Sequence, residues 1–154
     1  MRRNPFVTAV VRGEGEETLP EFLRNIQNPS YWTDISGLCW ISDEGYHDNG
    51  IARVADFAAL KYPEESPFFN WDKPFVQLET TRGCFNTCAF CVSGGEKPVR
   101  YQSLNQVKAR LENICAHGIK DIRVLDRTFN YDVSRACQML DMFAEYDGKM
   151  RFHL

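Results

Sequence analysis

Residues 84–91 read CFNTCAFC, three thiols at spacings of four and three within one short segment. As thiolates, side chains this close in sequence can close on a single metal centre from one loop, and soft sulfur ligands favour zinc or an iron–sulfur cluster. A structural zinc site wants four ligands, normally arranged as two close pairs. Here no fourth ligand is near, since Cys115 and His117 fall well downstream and Cys39 and Cys137 are scattered. Three cysteines on a [4Fe–4S] cluster leave one iron open, and an open iron is what chemistry at the cluster needs. Zinc or a coincidence of redox thiols stays as the alternative. Cys39, Cys115 and Cys137 read as small buried hydrophobes.

The spacing CxxxCxxC, directly after a strand and opening a β/α repeat, resembles the signature of the radical S-adenosylmethionine enzymes. Thr81-Arg82-Gly83 before the first cysteine and Phe90 before the last sharpen the likeness. The resemblance implies that Cys84, Cys88 and Cys91 hold a [4Fe–4S] cluster whose open iron chelates the amino and carboxylate groups of S-adenosylmethionine. It places Phe90 near the adenine. One electron entering the sulfonium would release methionine and a 5′-deoxyadenosyl radical, which removes hydrogen from an unactivated carbon. The implied partners are a small-molecule or peptide substrate and an electron donor such as flavodoxin or ferredoxin. Gly94-Gly95-Glu96 spells a triplet that many of these enzymes set against the cofactor's amino group. In them it follows the second strand; here it lies in the cysteine loop and reads as a turn. After the second strand comes Leu125-Asp126-Arg127-Thr128-Phe129-Asn130, and loops at the carboxyl ends of parallel strands are where ligands bind. Asp126 and Asn130 are therefore expected to orient S-adenosylmethionine or to reach the substrate, the alternative being that one of them caps the next helix. Arg82 and Arg100 flank the cysteine loop and could meet a carboxylate or face solvent.

The segment Val10 to Glu17, followed by Thr18-Leu19-Pro20, resembles the end of the cobalamin-binding domain that precedes the radical domain in the cobalamin-dependent branch. DRTFN after the second strand resembles the same branch. On that resemblance Gly13, Glu14 and Gly15 would lie beside cobalamin, with the glycines allowing close backbone approach. The implied outcome is methyl transfer, methylcobalamin giving its methyl group to an unactivated carbon. A radical enzyme that cyclises, rearranges or oxidises without methyl transfer, and a zinc-binding interaction module, stay open. The earlier part of a cobalamin domain is not in the sequence, the repeats of the radical domain stop at the third strand, and the expectation is a fragment that is inactive alone.

These residues need elements to position them. FVTAVV at 6–11 reads as a buried strand, followed by a Gly turn and a helix with Thr18 and Glu21 as a capping box and Leu19, Phe22, Leu23 and Ile26 on its inner face. A lone strand–helix unit normally belongs to a larger sheet, so its partner strands are expected outside this chain. Residues 30–74 read as a meander and linker, with turns at Asp43-Glu44-Gly45 and Asp48-Asn49-Gly50 and with Trp40, Phe68, Phe69 and Trp71 packed on something. From Phe75 the pattern is β-α-β-α-β. FVQLETT is a strand and Ser103 with Gln106 caps a helix lined by Leu104, Val107, Leu111 and Ile114. IKDIRVL is the second strand, Asp132 caps a helix bearing Val133, Ala136, Leu140 and Phe143, and KMRFHL opens the third. The fold class expected is α/β. Residues 1–29 would end a Rossmann-like domain, 30–74 would connect, and 75–154 would form the first half of a (β/α) barrel.

Composition agrees with a globular chain: 154 residues, 44% hydrophobic and 25% charged. A net charge of −3 with no basic block gives nucleic acid no support as a partner. No apolar run suffices for a membrane span, and a tight cysteine cluster without a signal peptide points to the cytoplasm.

Overall fold

The structure is a computed structural model that describes residue 4, residues 6–91 and residues 96–154. The chain separates into two compact units, Met1–Asp56 and Phe57–Leu154.

In the first unit β1 (Ala9–Val11) leads to α1 (Gly15–Arg24), a 3-10 turn at Pro29–Asp34, and a hairpin of β2 (Leu38–Ser42) and β3 (Gly45–Asp48). β1 pairs antiparallel with β2, Val10 opposite Cys39, and β2 pairs antiparallel with β3. The strand expected to lack a partner in this chain therefore has one, because the meander supplies a central strand whose Leu38, Cys39 and Trp40 are all buried. Phe22, Trp32 and Trp40 make edge-to-face contacts at 5.1 and 5.9 Å, and they form the core with Ile35 and Leu38.

Helix α1 departs from expectation at its start and on its face. It begins at Gly15, ahead of the expected cap, and the Thr18 hydroxyl instead donates to the Ser36 carbonyl at 2.8 Å. The buried stripe runs through Thr18 and Phe22, one turn apart, whereas Leu19, Leu23 and Ile26 are exposed.

In the second unit β4 (Val76–Leu78), β5 (Thr81–Arg82), β6 (Arg100–Tyr101), α2 (Leu104–Ala116), β7 (Asp121–Val124), α3 (Val133–Ala144) and β8 (Arg151–His153) follow in order. β4, β7 and β8 form a parallel sheet in that order, with Val76 beside Ile122 and Ile122 beside Phe152. Ser103 and Gln106 form the expected capping box, and Asp132 accepts from the Arg135 amide as the expected cap of α3. Leu78, Val107, Leu111, Ile114 and Ile122 are fully buried and pack with Met139, Met142 and Phe143. The inner face of α3 is turned toward Met139 and Met142, leaving Val133 and Leu140 exposed. Phe69 and Trp71 pack on this core as expected, while Phe68 is exposed. Cys39 is buried as expected, but Cys137 is exposed. Among the described residues no helix is long and apolar enough to cross a membrane.

Candidate functional site

Parallel strands put the loops that follow β4 and β7 on one edge of the sheet, and the sequence-predicted site residues fall in those two loops. The cysteine loop leaves β4 through Thr80 and returns to α2 through Gln102. Its two legs are joined by a short antiparallel ladder, Thr81 opposite Tyr101 and Arg82 opposite Arg100. On the loop side of that ladder the Cys84 amide donates to the Glu96 carbonyl at 2.9 Å, and on the sheet side the Gln102 amide donates to the Thr80 carbonyl at 3.0 Å. Gly83 makes this closure possible. Its φ is +104°, and a Cβ there would stand 2.6 Å from the Glu96 carbonyl oxygen.

The loop after β7 meets the cysteine loop at several points. Asp126 Oδ1 accepts from the amides of Thr80 at 2.7 Å and Thr81 at 2.9 Å, and Oδ2 accepts from the Thr80 hydroxyl at 2.5 Å. The Thr128 hydroxyl lies 3.5 Å from Cys84 Sγ, and the rings of Phe85 and Tyr131 stand 5.1 Å apart. The Thr128 hydroxyl, followed by the Asn86 backbone, holds the Cys84 thiol below the usual thiol range. Asp126 thus braces the first leg of the loop, and Asp132 rather than Asp126 or Asn130 caps α3.

Cys84 is buried, whereas Cys88 and Cys91 are exposed on a turn in which the Cys91 amide donates to the Cys88 carbonyl at 3.0 Å. All three thiols are free. Among the described residues no three His, Cys, Asp or Glu side chains stand close enough to enclose a metal ion. The donor set nonetheless suits a soft cluster metal, being thiols alone on a loop that a ligand could draw closed. Phe90 and Asn130 are exposed. Gly94 and Gly95 lie outside the described residues, and Glu96 is present through the carbonyl that holds Cys84.

Other residues of the site were not singled out from sequence. Arg135, in the first turn of α3, lies over the Tyr101 ring at 5.0 Å, and its Nη2 is buried without a partner among the described residues. Burial pulls its pKa down. Arg82, for which a carboxylate partner or a solvent-facing place was open, meets the Glu79 carboxylate at 2.7 and 3.0 Å.

In the first unit Gly13 has φ +92°, and a Cβ would stand 2.3 Å from the Ala52 carbonyl oxygen. The Glu14 amide donates to that same oxygen, and its carboxylate accepts from the Val54 amide at 2.6 Å. The close approach expected to serve cobalamin is used here by the chain itself, at residues 52–54. Gly15 has only an ordinary contact beside it, Val11 at 3.7 Å.

Solved structures share the fold. The radical S-adenosylmethionine methyltransferase TsrM from Kitasatospora setae, solved with tryptophan substrate and an analogue of S-adenosylmethionine bound, superposes with a TM-score of 0.69 at 20% identity. The match covers 94% of this chain and 32% of that one. The cobalamin-dependent S-adenosylmethionine radical enzyme OxsB, solved with aqua-cobalamin and S-adenosylmethionine bound, gives 0.69 at 22% identity, covering 94% of this chain and 22% of that one. The chain shares its fold with TsrM and OxsB. In sequence the chain is 31% identical over 152 residues to an uncharacterised methyltransferase of Pyrococcus horikoshii, covering 88% of this chain and 32% of the relative. It is 28% identical over 144 residues to the 2-(S-pantetheinyl)-carbapenam-3-carboxylate methyltransferase of Streptantibioticus cattleyicolor, covering 82% of this chain and 21% of the relative. The chain therefore spans about a third or less of these cobalamin-dependent and methyltransferase relatives. No protein-family model matches it.

Proposed function

We propose that this chain is part of a radical S-adenosylmethionine enzyme, cobalamin-dependent and methyl-transferring, with Cys84, Cys88 and Cys91 as ligands of a [4Fe–4S] cluster. The observation that carries the reading is the loop itself. Three free thiols spaced by four and three stand at the carboxyl edge of a parallel sheet, in a fold shared with TsrM and OxsB. The names of the two sequence relatives support methyl transfer as the outcome.

Cys84, Cys88 and Cys91 would hold such a cluster, which would supply one-electron chemistry to a sulfonium cofactor. The work of this chain's residues is positional. Asp126 fixes the first leg of the cysteine loop through Thr80 and Thr81, and Thr128 faces the Cys84 sulfur. Phe90 is exposed beside Cys91 and free to stack on an adenine. Asn130 and Arg135 line the same edge, the first as a neutral donor and acceptor, the second as a cation with an unused nitrogen. A flavodoxin or ferredoxin would deliver the electron, and a small molecule or peptide would receive the methyl group.

Anaerobic reconstitution with iron and sulfide tests the reading. A broad visible absorption with about four irons per chain, lost in Cys84→Ala, Cys88→Ala and Cys91→Ala, is expected. Stoichiometric zinc with no such absorption would overturn it. Ultraviolet–visible spectra of the longer protein with added cobalamin decide the cobalamin half of the proposal separately.

A further inference from the structure

Arg110 lies on the inner face of α2, among Val107, Leu111 and Ile114, where an apolar side chain would be expected. Its side chain is 4% exposed and that of its partner Glu64 is 2% exposed. Arg110 Nε donates to Glu64 Oε1 at 2.8 Å, and Nη1 donates to the Glu79 carbonyl at 2.9 Å and to Gln102 Oε1 at 3.0 Å. The guanidinium also lies over the Tyr62 ring at 4.6 Å. Dehydrating two ions is costly, so a buried pair of this kind is a poor source of net stability. What it fixes is geometry.

The groups it fixes are the two legs of the cysteine loop. Glu79 immediately precedes Thr80 on the outgoing leg. Gln102 is on the returning leg, and its amide bonds to the Thr80 carbonyl. The guanidinium therefore ties both legs, through Nη1, and Glu64, through Nε, to a single point on α2, while Asp126 holds the outgoing leg from the β7 side. Glu64, in turn, belongs to a segment that touches the loop root elsewhere. The Ala58 carbonyl accepts from Gln106 Nε2 at 2.8 Å, and the Arg82 guanidinium lies over the Phe57 ring at 4.8 Å. Glu64 Oε2 is buried with no partner among the described residues, so Arg110 is the group that holds this carboxylate.

We infer that Arg110 and Glu64 are positioning residues for the cysteine loop: the segment 57–65 sets, through Arg110, where the two legs leave the sheet and so how Cys84, Cys88 and Cys91 are presented. The consequence for a cluster rests on the function proposed above; the positioning of the loop does not.

The experiment is amide hydrogen exchange on the metal-free protein and on Arg110→Lys and Glu64→Gln, two variants that keep the bulk of the site. Lysine keeps the charge but, with a single nitrogen, cannot hold Glu64 and the two legs from two sides as Nε and Nη1 do. The amides of Cys84 and Gln102 are expected to exchange at least about tenfold faster in both variants, while those of Leu111 and Ile122 keep their wild-type rates. Uniform acceleration through the unit, or none, would overturn the inference, the first outcome meaning a role in stability alone. In reconstituted protein the same variants are expected to need about tenfold more S-adenosylmethionine to change the reduced-cluster spectrum, and an unchanged titration would overturn the link to the ligands. A wild-type protein that takes no cluster would refute the proposed function and leave the exchange data to decide the positioning.

Discussion

The carboxylate of Asp126 accepts both the backbone amide and the hydroxyl of Thr80, at 2.7 and 2.5 Å, across the gap between the loops after β7 and β4. A third bond, from the Thr81 amide at 2.9 Å, completes the brace. Thr80 and Thr81 are buried, so their amides have no recourse to water once the carboxylate is gone. Asp126→Ala is expected to cost about 2–4 kcal/mol, the sum of a lost charge-assisted bond and unsatisfied donors. Asp126→Asn keeps an oxygen for the two amides and is expected to cost about 1 kcal/mol. Urea denaturation of the two variants measures the difference, and equal losses would show that the charge rather than the acceptor matters.

Gly83 is a tight point of the cysteine loop. With φ at +104° and a Cβ position only 2.6 Å from the Glu96 carbonyl oxygen, alanine cannot be accepted without breaking the Cys84–Glu96 bond. Gly83→Ala is expected to destabilise the protein by roughly 2 kcal/mol or more through backbone strain and displacement of the returning leg. It should also reduce iron uptake at saturating iron and sulfide. Wild-type uptake with a wild-type denaturation midpoint would show that the loop closes in another way.

The parts of this site that sequence displays are local ones. The cysteine spacing, the Ser103–Gln106 box and the Asp132 cap each involve residues within a few positions, so their chemistry is visible in a line of text. The brace is not, because Asp126 finds its acceptor role 45 and 46 residues upstream. Read alone, it is a polar residue after a strand. Arg110 looks like an interruption of an apolar stripe until Glu64 and the Glu79 carbonyl are seen beside it. Thr18 has the sequence of a helix cap, but α1 begins at Gly15, so Thr18 lies within the helix and its hydroxyl donates to the Ser36 carbonyl that the fold brings close. Partnering of β1 with β2 was hidden for the same reason: period and composition identify a strand, not its neighbour.

In the first unit Asp48 gives a pH signature. The Gly50 amide above all, with the Cys39 thiol and the Arg12 guanidinium, holds its carboxyl below the ordinary 3.8. A lowered folded pKa means that the unfolded chain binds the proton more readily. The stabilisation is therefore fully present above 3.8 and is lost as pH falls through the lower folded value. Asp48→Asn is expected to flatten the fall in stability below about pH 5 without changing its shape near neutrality. Denaturation midpoints across that range check this, and a parallel displacement of the whole curve would argue for a packing effect instead.

The three cysteines should separate stability from metal binding. Cys88 and Cys91 are exposed and bring no packing to either core, so Cys88→Ser and Cys91→Ser are expected to leave the denaturation midpoint within about 0.5 kcal/mol of wild type in the metal-free protein. Cys84 is buried against Thr128, and Cys84→Ser exchanges a weak sulfur contact for a hydroxyl pair, with an expected cost of about 1 kcal/mol. Bound iron should behave the other way, falling in all three variants alike, because a cluster held by three thiolates from this protein has no spare ligand. Added S-adenosylmethionine should then shift the reduced-cluster spectrum of wild type and of none of the variants. If Cys88→Ser or Cys91→Ser retained full iron and that shift, the ligand set would have to include Cys115 or another thiol, and the loop geometry described above would not be the one that binds.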